Sequence, residues 1–219
     1  MGVDINMIKY NTYGLRRSGN HMIIEWILSH FKYGYHKNAI KNGKIGQHVT
    51  WLDGKINLKK PLDDKYDILI SSYEDVAPND ILENDIIILR DWYNIWASRI
   101  KSNRDNCWGG NCDEIYLKYC ELYDIYPNKF ILYNKLVSDH KYAIEIENRF
   151  GWSHKKVPTN LPKSGIGRGS SFTGNNINID QVNNRYQVIA KRNPKKWENV
   201  IKNNKINNYM KKIFNIDIT

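Results

Sequence analysis

The run Asp85-Ile86-Ile87-Ile88-Leu89-Arg90 constrains the fold most. Consecutive branched apolar residues leave a strand no polar face, so both of its sides must be covered, as in the centre of a parallel sheet. Helical spacing begins directly afterwards, over residues 93–100. The same alternation runs along much of the chain. Strands are predicted at 7–13, 67–73 and 129–133, and helices at 21–31, 114–123 and 138–150. The first helix places Met22, Ile23, Trp26, Ile27 and Phe31 at helical intervals. Alternating strands and helices predict an α/β fold with a central, mostly parallel sheet flanked by helices. Residues 33–65 are polar and glycine-rich, with one short strand expected at 48–52. Residues 161–176 read as a loop, and 180–214 as helical with a break at Pro194. A length of 219 residues fits a single domain, with its core over about 7–175 and a helical tail over 178–215.

The formal net charge is +10, which draws anions such as nucleic acid, acidic glycans or phosphorylated small molecules. Much of that charge lies between Lys191 and Lys212, where a solvated Lys/Asn-rich surface explains it equally well. No run of about eighteen apolar residues is present, so no membrane span is expected. The first residues lack the profile of a secretory leader, which makes a cytoplasmic protein the expectation. Three cysteines, Cys107, Cys112 and Cys120, are too few and odd in number for a disulfide framework. Cys107 and Cys112 have the spacing of a zinc half-site or a redox loop, but no complementary ligands accompany them, so free thiols and no metal are expected.

The segment Gly14-Leu15-Arg16-Arg17-Ser18-Gly19-Asn20-His21 joins the first strand to the first helix. The helix N-terminus offers backbone N–H groups and a positive dipole end. Glycine lets the chain turn tightly, Arg16 and Arg17 supply charge suited to phosphate oxygens, and Ser18 and Asn20 add hydrogen-bonding groups. A Walker A sequence is absent, so an ordinary P-loop NTPase is disfavoured. A basic loop with an ordinary helix cap would look the same. A second feature follows the apolar strand. Arg90 ends it, and Ser98 lies eight residues later on the next helix, so both can reach the carboxyl edge of the sheet.

Taken together, these segments resemble the PAPS-dependent sulfotransferases, which use 3′-phosphoadenosine 5′-phosphosulfate (PAPS) as donor. That family has a strand–loop–helix motif Y-P-K-S-G-T, or R-K-G-G-T in its glycan-modifying branch, to which Gly14 to Asn20 is similar. Its later R-[ND]-P-x-[DN]-x-x-x-S motif resembles Arg90-Asp91-Trp92-Tyr93-Asn94-Ile95-Trp96-Ala97-Ser98. Phe130 to Leu136 is similar to the family's strand ending in Y-E-D-L, and Arg149-Phe150-Gly151 to its F-L-G. Gly167-Arg168-Gly169-Ser170 stands where the family has a basic loop over the cofactor. The resemblance implies a P-loop-like sulfotransferase fold and PAPS as cofactor, with 3′-phosphoadenosine 5′-phosphate (PAP) as product. Arg17 stands for the lysine at the 5′-phosphosulfate, and Ser18, Gly19 and Asn20 complete that loop, flanked by Arg16 and His21. Arg90 and Ser98 would hold the 3′-phosphate, covered by Arg168, Gly169 and Ser170. Three positions depart from the family: Arg17 replaces Lys, Trp92 replaces Pro, and Met22 occupies the place of an aromatic that stacks on adenine.

Sulfuryl transfer needs a base for the acceptor and positive charge on the leaving phosphate. The family places a His or a Glu near the end of the strand before the 3′-phosphate motif. Here that strand ends in Tyr73-Glu74-Asp75, so Glu74 is the first candidate, Asp75 the second, and His48 a third because histidine titrates near neutrality. Both carboxylates could instead serve only to cap a turn. The expected partners are the nucleotide and a small-molecule or glycan acceptor hydroxyl or amine. No nucleic-acid partner and no membrane span are expected. Two other functions remain open: an ATP-dependent phosphotransferase on a similar fold, with Asp91 as metal ligand, and a non-enzymatic polyanion-binding module. Against the module, Trp26 and Trp96 lie on apolar faces and read as core.

Overall fold

The computed structural model describes residues 7–59, 65–101, 111–157 and 179–218, with the side chains of 179–183 left aside. Its strands are β1 Ile8–Gly14, β2 Tyr33–Asn38, β3 Gln47–Leu52, β4 Lys55–Asn57, β5 Ile68–Glu74, β6 Asp85–Leu89 and β7 Phe130–Leu132. Its helices are α1 Asn20–Ser29, α2 Trp92–Lys101, α3 Cys112–Ile125, α4 Tyr133–Ser138, α5 His140–Phe150, α6 Ile179–Arg192, α7 Pro194–Ile201 and α8 Asn204–Phe214. The strands form one sheet in the order β4-β3-β2-β5-β1-β6-β7. β2, β5, β1, β6 and β7 are mutually parallel, while β3 and β4 extend one edge as an antiparallel meander. The expected α/β architecture is therefore present, and no helix among the described residues is long and apolar enough to cross a membrane.

β6 is the strand that its sequence demands. Every residue from Asp85 to Leu89 is buried, because β1 and β7 flank it and helices cover it. The helix α1 covers one face of the sheet. Its Leu28 lies 2.6 Å from where a Cβ on Gly34 would be, so α1 packs against the face of β2 that carries Gly34. Pleating puts His36 and Asn38 on that same face. Trp26 and Trp96 are core residues, as their spacing predicts.

The structure departs from the sequence reading mainly at its edges. Residues 33–57 hold three strands where one was expected. β2 escapes notice because Gly34, His36, Lys37 and Asn38 interrupt its apolar pattern. The predicted strand 129–133 is shorter, since Tyr133 already starts α4. α5 starts at His140, where Asp139 accepts hydrogen bonds from the backbone N–H groups of Lys141 and Tyr142. The helical tail breaks at Pro194 as predicted, and again before Asn204. Cys112 is disulfide-bonded rather than free, whereas Cys120 is a buried thiol.

The order of the connections reverses beside β1. β1 leads through α1 to β2 on one side, and β6 leads through α2 and α3 to β7 on the other. The carboxyl ends of β1 and β6 thus flank a topological switch point, the place where open α/β sheets hold ligands.

Candidate functional site

The loop between β1 and α1 lies at that switch point. It closes on itself: the Ser18 N–H donates to the Leu15 carbonyl at 3.0 Å, and the Ser18 hydroxyl donates to the same oxygen. Arg17 (φ 80°) and Gly19 (φ 88°) take left-handed conformations. Gly19 is required for a second reason, since a Cβ there would run into the Tyr133 ring. Gly19 is also the N-cap of α1 and, having no side chain, supplies no capping oxygen. The N–H groups of the first helical turn are therefore presented at the loop without a cap from that residue.

Asp75 pins this loop to the sheet. Its Oδ1 accepts from the Arg16 backbone N–H at 2.9 Å, and its Oδ2 lies 2.5 Å from Arg16 Nε. A terminal nitrogen of Arg99, from α2, reaches the same carboxylate at 2.5 Å. Asp75 itself is fully buried. Burial alone would raise its pKa, but Arg99 and both the backbone and side chain of Arg16 outweigh it and hold the carboxyl below its usual range. Asp75, a candidate base in the sequence, is thus placed as the anchor of a two-arginine clamp. Arg16, expected to flank the anion, points to this anchor.

Arg90 emerges at the end of β6, as expected. It is buried, lies 4.7 Å from the centre of the Tyr133 ring, and donates to the Arg17 carbonyl at 3.2 Å. The two segments singled out in the sequence therefore meet at one place. Ser98 is buried on α2, one turn beyond Asn94 and on the same helix face. Asp91, next to Arg90, is a buried brace: it accepts from the Asn94 N–H at 2.8 Å, from Asn94 Nδ2 at 3.0 Å and from Asn134 Nδ2 at 2.7 Å.

Ser18 and Asn20 face inward. Besides the Ser18 bond to Leu15, Asn20 Nδ2 lies 3.3 Å from both the Leu15 carbonyl and Glu74 Oε1. They shape the loop from within. Met22 is in the core and does not reach the surface of the site. Trp92 is also buried, packs on Tyr116 and donates its backbone N–H to Met210 Sδ at 3.2 Å, a bond that Pro could not form.

A second cluster lies on the α1 side of β2 and β5. Glu74, at the carboxyl end of β5, neighbours His21 electrostatically, and His21 Nε2 lies 3.4 Å from Asn38 Nδ2. Burial lowers the His21 pKa, Glu74 and Asn38 oppose this, and Arg17 adds to the lowering. His36 is fully buried, with Nε2 2.8 Å from Ser72 Oγ. Burial and then the nearby His21 push its pKa down to about 3. Asn38 and Ser72 are linked at 3.2 Å. Sequence reading missed His36 and Asn38 because it missed β2, and so it had no partners for Ser72 on the predicted strand β5.

His48 is not part of this cluster. It pairs with Lys37 in the β2–β3 ladder, on the face opposite to His36 and Asn38, and it hydrogen-bonds Tyr35. Arg168, Gly169 and Ser170 lie outside the described residues. Among the described residues, no group of three His, Cys, Asp or Glu is arranged to hold a metal ion. Compared with known protein families, with curated proteins and with solved structures, the chain has no match.

Proposed function

We propose that the protein is a PAPS-dependent sulfotransferase, acting on an acceptor hydroxyl or amine, with a P-loop-like sulfotransferase fold. The observation that carries this reading is the bond from the Arg90 guanidinium to the Arg17 carbonyl, which joins the two sequence motifs at the switch point. A donor with two separate anionic ends suits such a place. The start of α1 and Arg17 would face the 5′-phosphosulfate, while Arg90 with Ser98 would take the 3′-phosphate.

In the transfer, the acceptor oxygen or nitrogen forms a bond to sulfur as the bond from sulfur to the phosphate oxygen breaks. Negative charge builds on that phosphate oxygen. Arg17 and the α1 dipole stabilise it electrostatically, and Arg17 keeps its own proton throughout. The acceptor proton passes to Glu74, which Asn20 orients by its 3.3 Å hydrogen bond. Glu74 is preferred to Asp75, whose carboxylate is engaged by Arg16 and Arg99, and to His48, which faces away.

Asp91 would be the metal carboxylate of an ATP-dependent phosphotransferase. Its commitment to Asn94 and Asn134 counts against that reading. The burial of Arg90 likewise counts against an exposed polyanion-binding surface. PAP release from PAPS, measured with simple alcohols, sugars and amines as acceptors, tests the proposal. Glu74→Gln should lower turnover about 10²–10⁴-fold, the usual range for a lost general base, with PAP affinity nearly unchanged. Full activity in that variant would remove Glu74 from the mechanism, and magnesium-dependent consumption of ATP in place of PAPS would favour the phosphotransferase.

A further inference from the structure

The sequence reading set the C-terminal helices apart as a basic tail, yet α6 packs along α2 beside the anion site. The Tyr186 N–H donates to Asn94 Oδ1 at 3.1 Å, and Asn94 is itself held by Asp91, the neighbour of Arg90. Tyr186 also packs against Tyr93, with ring centres 5.6 Å apart, and Ile189 is buried against Trp96 and Ala97. These contacts fix the register of α6 and bury Arg185, which is only 5% exposed.

We infer that α6 completes the anion site, with Arg185 as a third guanidinium directed at the same phosphate-bearing ligand as Arg17 and Arg90. The inference rests on the anion-site reading of the β1–α1 loop. Arg90, Arg17, Asp91 and Tyr133 are among the groups that act electrostatically on Arg185, and Arg90 and Arg17 are the two guanidiniums already placed at that site. Burial first, then the charge of Arg90, lowers the Arg185 pKa to about 9, with Tyr133 and Asp91 opposing and Arg17 adding to the fall. A bound polyanion favours such a gathering of guanidiniums, because its charge opposes their mutual repulsion. Three convergent guanidiniums suit a ligand with more than one negative charge, such as a phosphate monoester or a bisphosphate. Ligand binding would then tie the C-terminal helices to the sheet.

Thermal unfolding of wild type, Arg185→Met and Arg185→Lys, each titrated with inorganic pyrophosphate and with PAP, separates the possibilities. Wild type should be stabilised by both anions. Arg185→Met should bind them about tenfold or more weakly, as loss of a charge-assisted bond implies, whatever its melting temperature in their absence. If Met at this position does not fold, Arg185→Lys carries the test, with retained folding and weakened binding. A purely structural Arg185 would leave the affinity for both anions unchanged in the variants that fold. That result overturns the inference and leaves the sulfotransferase reading standing. Arg185-dependent binding of pyrophosphate with no preference for PAP would support the inference and sink the sulfotransferase reading. No stabilisation of wild type by either anion would overturn both.

Discussion

Two neighbouring regions at the carboxyl edge of the sheet differ in kind. Beside β1 and β6, the side chains are the guanidiniums of Arg17 and Arg90, which we infer Arg185 joins. Beside β2 and β5, they are Glu74, His21, His36, Asn38 and Ser72, groups that titrate or hydrogen-bond in either direction. Fixed charge suits holding an anion and stabilising a leaving phosphate; groups able to exchange protons suit activating an acceptor. Asn20 and His21 lie at the boundary, since Asn20 bonds Glu74 and His21 senses both Glu74 and Arg17. The division of labour follows from the fold. β1 is central, so the loop after it is shared by the strands on both sides.

The comparison can be sharpened or broken by substitution. The largest expected effect is the loss of turnover in Glu74→Gln with binding intact, which would separate the two regions functionally. Next comes Asp75→Asn, which removes the charge between Arg16 and Arg99. Breaking a buried pair in this way costs about 3–5 kcal/mol, so denaturant unfolding should show a loss of that order, and anion binding should fall as the loop loses its anchor. If stability is unchanged, Asp75 is no anchor and its candidacy as a base revives.

A smaller effect concerns His36. Its pKa in the fold, about 3, lies below the ordinary histidine value of about 6.5, so the unfolded chain binds a proton in that interval and the fold does not. Stability contributed by neutral His36 is complete above about pH 6.5 and is lost as pH falls towards 3, amounting to about 2–3 kcal/mol by pH 4.5. His21 and His30 are shifted the same way and add to this slope. His36→Gln should flatten the decline in melting temperature between pH 6.5 and 4.5 without removing it. An unchanged slope would mean that His36 is protonated within the fold.

The cationic region was the more legible in the sequence. The apolar run of β6 announces a buried strand, Arg90 ends it, and the loop after β1 carries its glycines and arginines in one short segment. The titratable region was obscured because β2 carries a polar face into the interior. His36 and Asn38 satisfy one another's neighbours through Ser72, a partner 34 residues from Asn38 that no local pattern reveals. Arg185 was hidden differently. It lies in a helix rich in Asn, Lys and Arg that reads as solvated surface, and only its four-residue spacing from buried Ile189 marks the inward face. The inward bonds of the Ser18 and Asn20 side chains were not legible, because loop polarity does not tell which way a side chain faces.

The central claim is that the cationic region holds a nucleotide bearing separate 3′- and 5′-phosphates. Calorimetric titration of the protein with PAP, ATP and AMP tests it most directly, with Arg90→Ala alongside. The account predicts tight binding of PAP, weak binding of AMP, and loss of the PAP preference in the variant. Equal binding of all three nucleotides, or none, would contradict it.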